Sequence, residues 1–317
     1  MYSVYGLSID LEEEIASGLE KTFKEPDIRV LPWDKKHENI TDNVLWYHDW
    51  HMIDGHVCLR AGKKNNDYFV LHFIDEKVDF AISPDSKYIY YKCFDDYESE
   101  AVKHILFTQV LPKALNLSGI EALHASSVLS KKGVLVFIGK SGFGKSTITA
   151  GLIKEGLALL SDNVVPIFLK NNEVWTSSGT PHVGLWPEVL KFLNPDAEID
   201  DPTEKCRITL SQRQYSTGEY RLSHIYFLNP SENVKEVSIE PLSAQESLVE
   251  LLQSSFRLDL YNPEMLKRQF SILNKTTEFA VTKKITYEAS ILEPGKLSLA
   301  ILSDMQIDKA ERQLICN

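Results

Sequence analysis

Cysteine is scarce: Cys58, Cys93, Cys206 and Cys316 are the only four among 317 residues, and none stands close to another. Close pairs are what zinc sites and disulfide frameworks need, so both are excluded and ordinary reduced thiols are expected. Long apolar runs are missing too, none approaching the length that spans a bilayer. The opening MYSVYGLSIDLEEE has no basic segment leading into an apolar core and a small-residue cleavage site. A soluble, cytoplasmic protein with no membrane partner is expected. Basic residues are the minority, 34 against 45 acidic ones, for a formal net charge of -11, and no Lys/Arg block is interleaved with aromatics. Nucleic acid is excluded as a partner on this reading, because that affinity comes largely from neutralised phosphates. Low-complexity stretches and internal repeats are also lacking.

What is present is a 43% apolar chain long enough to fill two globular parts. Residues 1–96 read as short strands between turn signals, at Ile28–Leu31, Val44–Tyr47, His56–Arg60, Tyr68–Phe73, Val78–Ile82 and Tyr88–Tyr91. They predict a small β-rich N-terminal domain. Ser99–Leu115 has helical spacing in Val102, Ile105, Leu106, Val110 and Leu111, with Pro112 expected to kink it or end its first part. It reads as a bridge at the start of a second domain, residues 97–317. From Glu121 the order strand, hairpin, strand, Gly-rich loop, helix, strand predicts an α/β domain with its site at a strand-to-helix turn. Strands at Ile225–Leu228, Val237–Ile239 and Lys284–Glu288, and helices over Ala244–Gln253 and near Pro263–Leu273, complete the reading.

The strongest motif is Gly139-Lys140-Ser141-Gly142-Phe143-Gly144-Lys145-Ser146, a full match to G-x-x-x-x-G-K-S/T, followed by Thr147. Glycines tolerate positive φ and let successive backbone N–H groups turn inward on the oxygens of a polyphosphate. Lys145 is expected at the β- and γ-phosphates, and the Ser146 hydroxyl on Mg²⁺. The flanks agree: Val134–Ile138 is a continuous apolar run, and Ser146–Lys154 reads as a helix stopped by Gly156. The run Leu157–Ser161 then ends in Asp162, where an adjacent strand would set a carboxylate near the metal and the γ-phosphate. Ser-Asp-Asn is also ordinary turn chemistry. Third is His124. If Lys131 and Lys132 form a two-residue hairpin turn, His124 falls opposite Gly139, beside the loop. There it stabilises charge, tunes the neighbouring aspartate, or is simply structural.

Weaker signals are Lys205, Arg207 and Arg213, cations in a loop-rich stretch where a phosphate or acceptor contact is one use and a solvated surface the other. The cluster His48-Asp49-Trp50-His51…Asp54-Gly55-His56 holds metal-ligand residue types, but a strand would scatter them to different faces. Trp186 reads as a core residue.

The stretch LHASSVLSKKGVLVFIGKSGFGKSTITAGLIKEGLALLSDNVVPI resembles the catalytic core of the HPr serine kinase family. It is most similar to the HPr kinase-like peptide serine kinases of lasso peptide and related ribosomal-peptide gene clusters, as is Gly179–Glu188 with its Leu185-Trp186-Pro187. The resemblance implies a P-loop kinase domain of HPr kinase C-terminal type and ATP-dependent transfer to a serine of a small protein or precursor peptide. Lys145 and Ser146 would bind nucleotide and Mg²⁺, with His124, Asp162 and Lys145 catalytic and Asn163, like Lys205 and Arg207, a phosphate or acceptor contact. Asn163 departs from the family's usual aspartate pair. The downstream Arg-Gly-x-Gly signature of the bifunctional members is missing, which argues against phosphorylase activity and against HPr as substrate. A nucleotide-binding regulator without transfer, and a kinase or nucleotidyl transferase acting on a small molecule, are the alternatives. A homo-oligomer is compatible with the sequence.

Overall fold

The structure is a computed structural model that describes residues 1–16, 18–34, 38–64, 67–94, 99–256, 262–288 and 294–307. Its contacts divide the chain into two compact units, Met1–Ile120 with Phe256–Met265, and Glu121–Ser255 with Leu266–Asn317.

The first unit is built on one nine-stranded sheet. Its strands are β1 (Tyr2–Val4), β2 (Leu7–Asp10), β3 (Glu20–Lys21), β4 (Ile28–Pro32), β5 (Val44–His51), β6 (Val57–Lys64), β7 (Tyr68–Phe73), β8 (Val78–Ile82) and β9 (Tyr88–Cys93). They lie in the order β3-β1-β2-β4-β9-β8-β7-β6-β5. Strands β5 to β9 form an antiparallel meander, and β4 joins it in parallel with β9. The six strands expected here are all present, whereas β1, β2 and β3, of three, four and two residues, are too short to show a period.

The helical stretch expected to open the second domain belongs instead to the first unit. It runs as α1 (Ser99–Ile105), a π-helical turn (Leu106–Val110) and α2 (Leu111–Ser118). Burial explains the assignment, since Leu106, Val110, Leu111, Ala114 and Leu115 are all fully enclosed. Pro112 does not break the helix: it stands at the start of α2, where its missing N–H costs nothing, and the wider π turn lets Leu111 N–H reach Leu106 O just before it. Gly119 closes α2 in the left-handed conformation.

The second unit has β10 (Glu121–Leu123), β11 (Ala125–Ser130), β12 (Gly133–Ile138), α3 (Lys145–Lys154), β13 (Ala158–Ser161), β14 (Val165–Lys170), β15 (Glu173–Ser177), β16 (His182–Leu185), α4 (Pro187–Leu193), β17 (Cys206–Thr209), β18 (Glu219–Ser231), β19 (Ser238–Pro241), α5 (Ala244–Ser254), α6 (Pro263–Phe279), β20 (Val281–Glu288) and α7 (Pro294–Asp304). Its main sheet runs β10-β14-β15-β18-β12-β11-β13, with β20 parallel to β18 and β19 on β20; β16 and β17 form a separate ribbon. Alternation along β12 divides the core. Val134, Val136 and Ile138 pack in a cluster with Leu251 of α5 and Ile272 and Leu273 of α6. Leu135 and Phe137 pack with Ile148 and Leu152 of α3 and Leu297, Ile301 and Leu302 of α7. A mixed sheet covered on both faces by helices is an α/β arrangement, and it explains why β12 reads as a continuous apolar run. Among the described residues no helix is long and apolar enough to cross a membrane.

Candidate functional site

The hairpin between β11 and β12 pairs Ser130 with Gly133 and Ala125 with Ile138, so its turn holds the two residues Lys131 and Lys132 and the register carries His124 to the level of Gly139. Beyond Ile138 the loop Gly139–Gly144 leads into α3. A Cβ on Gly139 would stand 3.0 Å from Leu228 Cβ and 3.2 Å from Phe143 Cβ, so a side chain there would push the loop off the sheet. Gly144 caps α3 at φ 85°, a conformation costly for any residue with a Cβ. The Tyr287 hydroxyl, at the end of β20, donates to Phe143 O and ties the loop to the sheet.

Lys145 opens α3 and is only 7% exposed. Its Nζ donates to Gly139 O at 2.7 Å and to Lys140 O at 3.3 Å, so the ammonium lies across the loop. Burial brings its pKa down to about 8, partly offset by the Asp162 carboxylate and reinforced by the Lys205 charge. Ser146 Oγ lies 3.3 Å from each carboxylate oxygen of Asp162. Asp162 follows β13 directly, is 4% exposed, and accepts a hydrogen bond at Oδ1 from Ser126 Oγ. Burial pushes its carboxyl up from the usual range, against the hydrogen bond from Ser126. Ser146 Oγ and the Asp162 carboxylate are hard oxygen donors on one spot. That donor set suits Mg²⁺, which takes one or two protein oxygens and completes its shell with water and phosphate.

His124 is held by Asn163, whose backbone carbonyl lies 3.1 Å from the ring Nδ1. A carbonyl can only accept, so Nδ1 carries the proton. Burial first, and the Lys145 charge second, lower the ring's pKa to about 4, and the imidazole is neutral at physiological pH. A neutral ring can hydrogen-bond but carries no charge. Asn163 has φ 68°, a left-handed conformation that asparagine tolerates well; its carbonyl meets His124 and its backbone N–H hydrogen-bonds the Asp162 carboxylate. Its Nδ2 stands 3.5 Å from Asp162 Oδ2.

His124, Lys145, Ser146, Thr147 and Asn163 line one cavity of about 100 Å³ together with Ser141, Gly142 and Gly144 of the loop. Lys205, Gly184, Leu185 and Trp186 form its remaining wall. Lys140 and Phe143 face elsewhere, into a second cavity of about 470 Å³ that also has His124, Glu246, Glu250 and Lys284 in its lining. Of the three cations in the loop-rich stretch, only Lys205 lines either cavity; Arg207, opposite Gly184 on the ribbon, and Arg213 are exposed. Trp186, expected in the core, is 45% exposed, because strand alternation turns Leu185 inward and leaves Trp186 at the cavity mouth, with Lys205 Nζ 5.8 Å from its ring.

The His48 cluster does not converge. His56 sits between Asp54 at 2.7 Å and Asp75 at 3.0 Å, while Asp49 pairs with Arg60 at 3.0 Å. Among the described residues no three His, Cys, Asp or Glu side chains gather to hold a metal ion, and Cys58, Cys93 and Cys206 are free thiols; Cys316 lies outside those residues. Ser126 and Tyr287 were missed from the sequence. Ser126 had a signal, its register beside Asp162, but Tyr287 lies 144 residues from its partner and had none.

No protein-family model matches the chain, and no curated protein does. Among solved structures the chain is similar to the Hpr(Ser) kinase/phosphatase from Coxiella burnetii, at 17% identity over 58% of this chain and 93% of that one, with a TM-score of 0.31. A likeness of that extent leaves the function to be argued from the residues of the site.

Proposed function

We propose that the unit beginning at Glu121 is an ATP-dependent kinase that transfers the γ-phosphoryl group to a serine hydroxyl of a peptide or small protein. The observation that carries this is the convergence of Lys145, Ser146 and His124 on one cavity beside the glycine-rich loop, with the buried Asp162 carboxylate 3.3 Å behind Ser146 Oγ. Backbone N–H groups of the loop and Lys145 would hold the phosphates, with Gly139–Thr147 as the nucleotide-binding segment. Mg²⁺ held by Ser146 and Asp162 would neutralise the phosphate charge. Asp162 would accept the proton of the acceptor hydroxyl as its oxygen bonds to the γ-phosphorus and the bond to the leaving ADP oxygen breaks. Lys145 would offset charge on the transferring group, with Lys205 as a second cation on the same wall. His124, neutral and fixed by Asn163, would hydrogen-bond between the two cavities, the larger of which has room for an acceptor chain.

The resemblance of Leu123–Leu190 to kinases of ribosomal-peptide pathways makes a serine-containing precursor peptide the first acceptor to try. The test is transfer of label from γ-labelled ATP to such a peptide in the presence of Mg²⁺. Labelled serine is the expected product; tight ATP binding with no transfer to any peptide would leave a nucleotide-binding regulator, and label on a small molecule would overturn the acceptor class.

Two further outcomes are expected. His124→Ala should lower turnover by about a hundredfold while ATP affinity changes little, as for an interaction made mainly in the transition state; equal losses in both would return His124 to a structural role. Tyr287→Phe should weaken ATP binding by about fivefold, the worth of one hydrogen bond near 1 kcal/mol, at unchanged kcat. Calorimetric titration with ATP reads the second directly.

A further inference from the structure

Ser126 is fully enclosed on β11, and the antiparallel register of Ser127 with Ser161 brings it beside Asp162. Its hydroxyl donates to Asp162 Oδ1, a contact between two buried side chains 36 residues apart. The Asn163 backbone N–H also hydrogen-bonds the carboxylate, and the other side-chain donors are looser. Ser146 Oγ stands 3.3 Å from both oxygens and favours neither, and Asn163 Nδ2 reaches Oδ2 only at 3.5 Å. Among the side chains, Ser126 is the one that commits to a single oxygen of the carboxylate. A chain with a single carboxylate at this point has no neighbour to take over if its plane turns.

We infer that Ser126 is a positioning residue for phosphoryl transfer: by engaging Oδ1 it fixes the Asp162 carboxylate and reserves Oδ2 for the proton of the acceptor hydroxyl. This rests on the kinase reading above. The Ser126 hydroxyl engages the carboxylate from β11, so its effect falls on the chemical step and spares ATP binding. Threonine keeps a hydroxyl at the same place; alanine removes it with nearly the same volume.

The test compares wild type, Ser126→Ala and Ser126→Thr as full chains, measuring kcat and KM for ATP by label transfer and, separately, affinity for a non-hydrolysable ATP analogue with and without Mg²⁺ by calorimetry. Loss of a residue that orients a reacting carboxylate costs about 10- to 100-fold in rate by analogy with groups behind metal ligands. The alanine variant is expected to lose that much kcat, with KM for ATP and analogue affinity within about twofold of wild type and threonine recovering most of the rate. Wild-type kcat in Ser126→Ala would overturn the role. So would a threonine variant as slow as alanine, or an equal loss of kcat and analogue affinity, each of which marks packing. If wild type binds no nucleotide and transfers no label, it is the kinase reading that fails. Should the alanine variant not fold, the threonine variant carries the test, because a hydroxyl-dependent role predicts near wild-type kcat for it and loss of that rate would overturn the role.

Discussion

Asp162→Asn is expected to slow label transfer by about a thousandfold, the middle of the range for removal of a positioned general base. Asparagine keeps the shape and can still accept from Ser126, so the fold and the Ser126 contact survive. What goes is the ability to take a proton and the negative charge that helps hold Mg²⁺. ATP affinity without Mg²⁺ should change little, since the phosphates would be held by loop N–H groups and Lys145. The increment that Mg²⁺ adds to affinity should shrink. Transfer at the wild-type rate would remove Asp162 from the mechanism.

Lys145→Ala is the second large effect, with an expected loss of about 10²- to 10³-fold in kcat, comparable to deleting one preorganised donor from a developing charge. Its pH dependence can be worked out in sign. Lys145 has a pKa of about 8 because burial disfavours the charged form. A bound triphosphate would favour the charged form and raise that pKa. Affinity for ATP should thus be full below about pH 8 and fall as pH rises through it, with proton uptake on binding in that range. Calorimetry in buffers of differing ionisation enthalpy measures the uptake. In Lys145→Ala the uptake should vanish and the affinity should be flat between about pH 7 and 9; a persisting uptake would assign the titration to another group.

Local order was legible wherever one period ran long enough. The six longer strands of the first unit and β12, α3, α5 and β20 of the second lie within a few residues of the positions expected from alternation, helical spacing, and Gly and Pro punctuation. The loop Gly139–Gly144 with Lys145 and Ser146 was legible for a stronger reason: its three glycines, its lysine and its serine fall within eight consecutive residues. His124 could be placed opposite Gly139 because a two-residue turn makes hairpin register an arithmetic matter.

Tertiary packing decided the rest. Which unit the 99–118 helices pack with depends on contacts remote in sequence, such as the Tyr5 hydroxyl donating to Phe107 O and Lys113 Nζ over the Phe69 ring. Trp186 and Leu185 are adjacent and similarly apolar, and only their placement at the end of β16, with Trp186 extended at the start of α4, sends one into the core and the other to the cavity mouth. Tyr287 reaches the loop because β20 lies parallel to β18, a pairing between residues 57 apart in sequence that leaves no local trace. The charge states belong to this level as well. Sequence names a histidine, a lysine and an aspartate, but desolvation by the surrounding core is what makes His124 neutral, lowers Lys145 and raises Asp162.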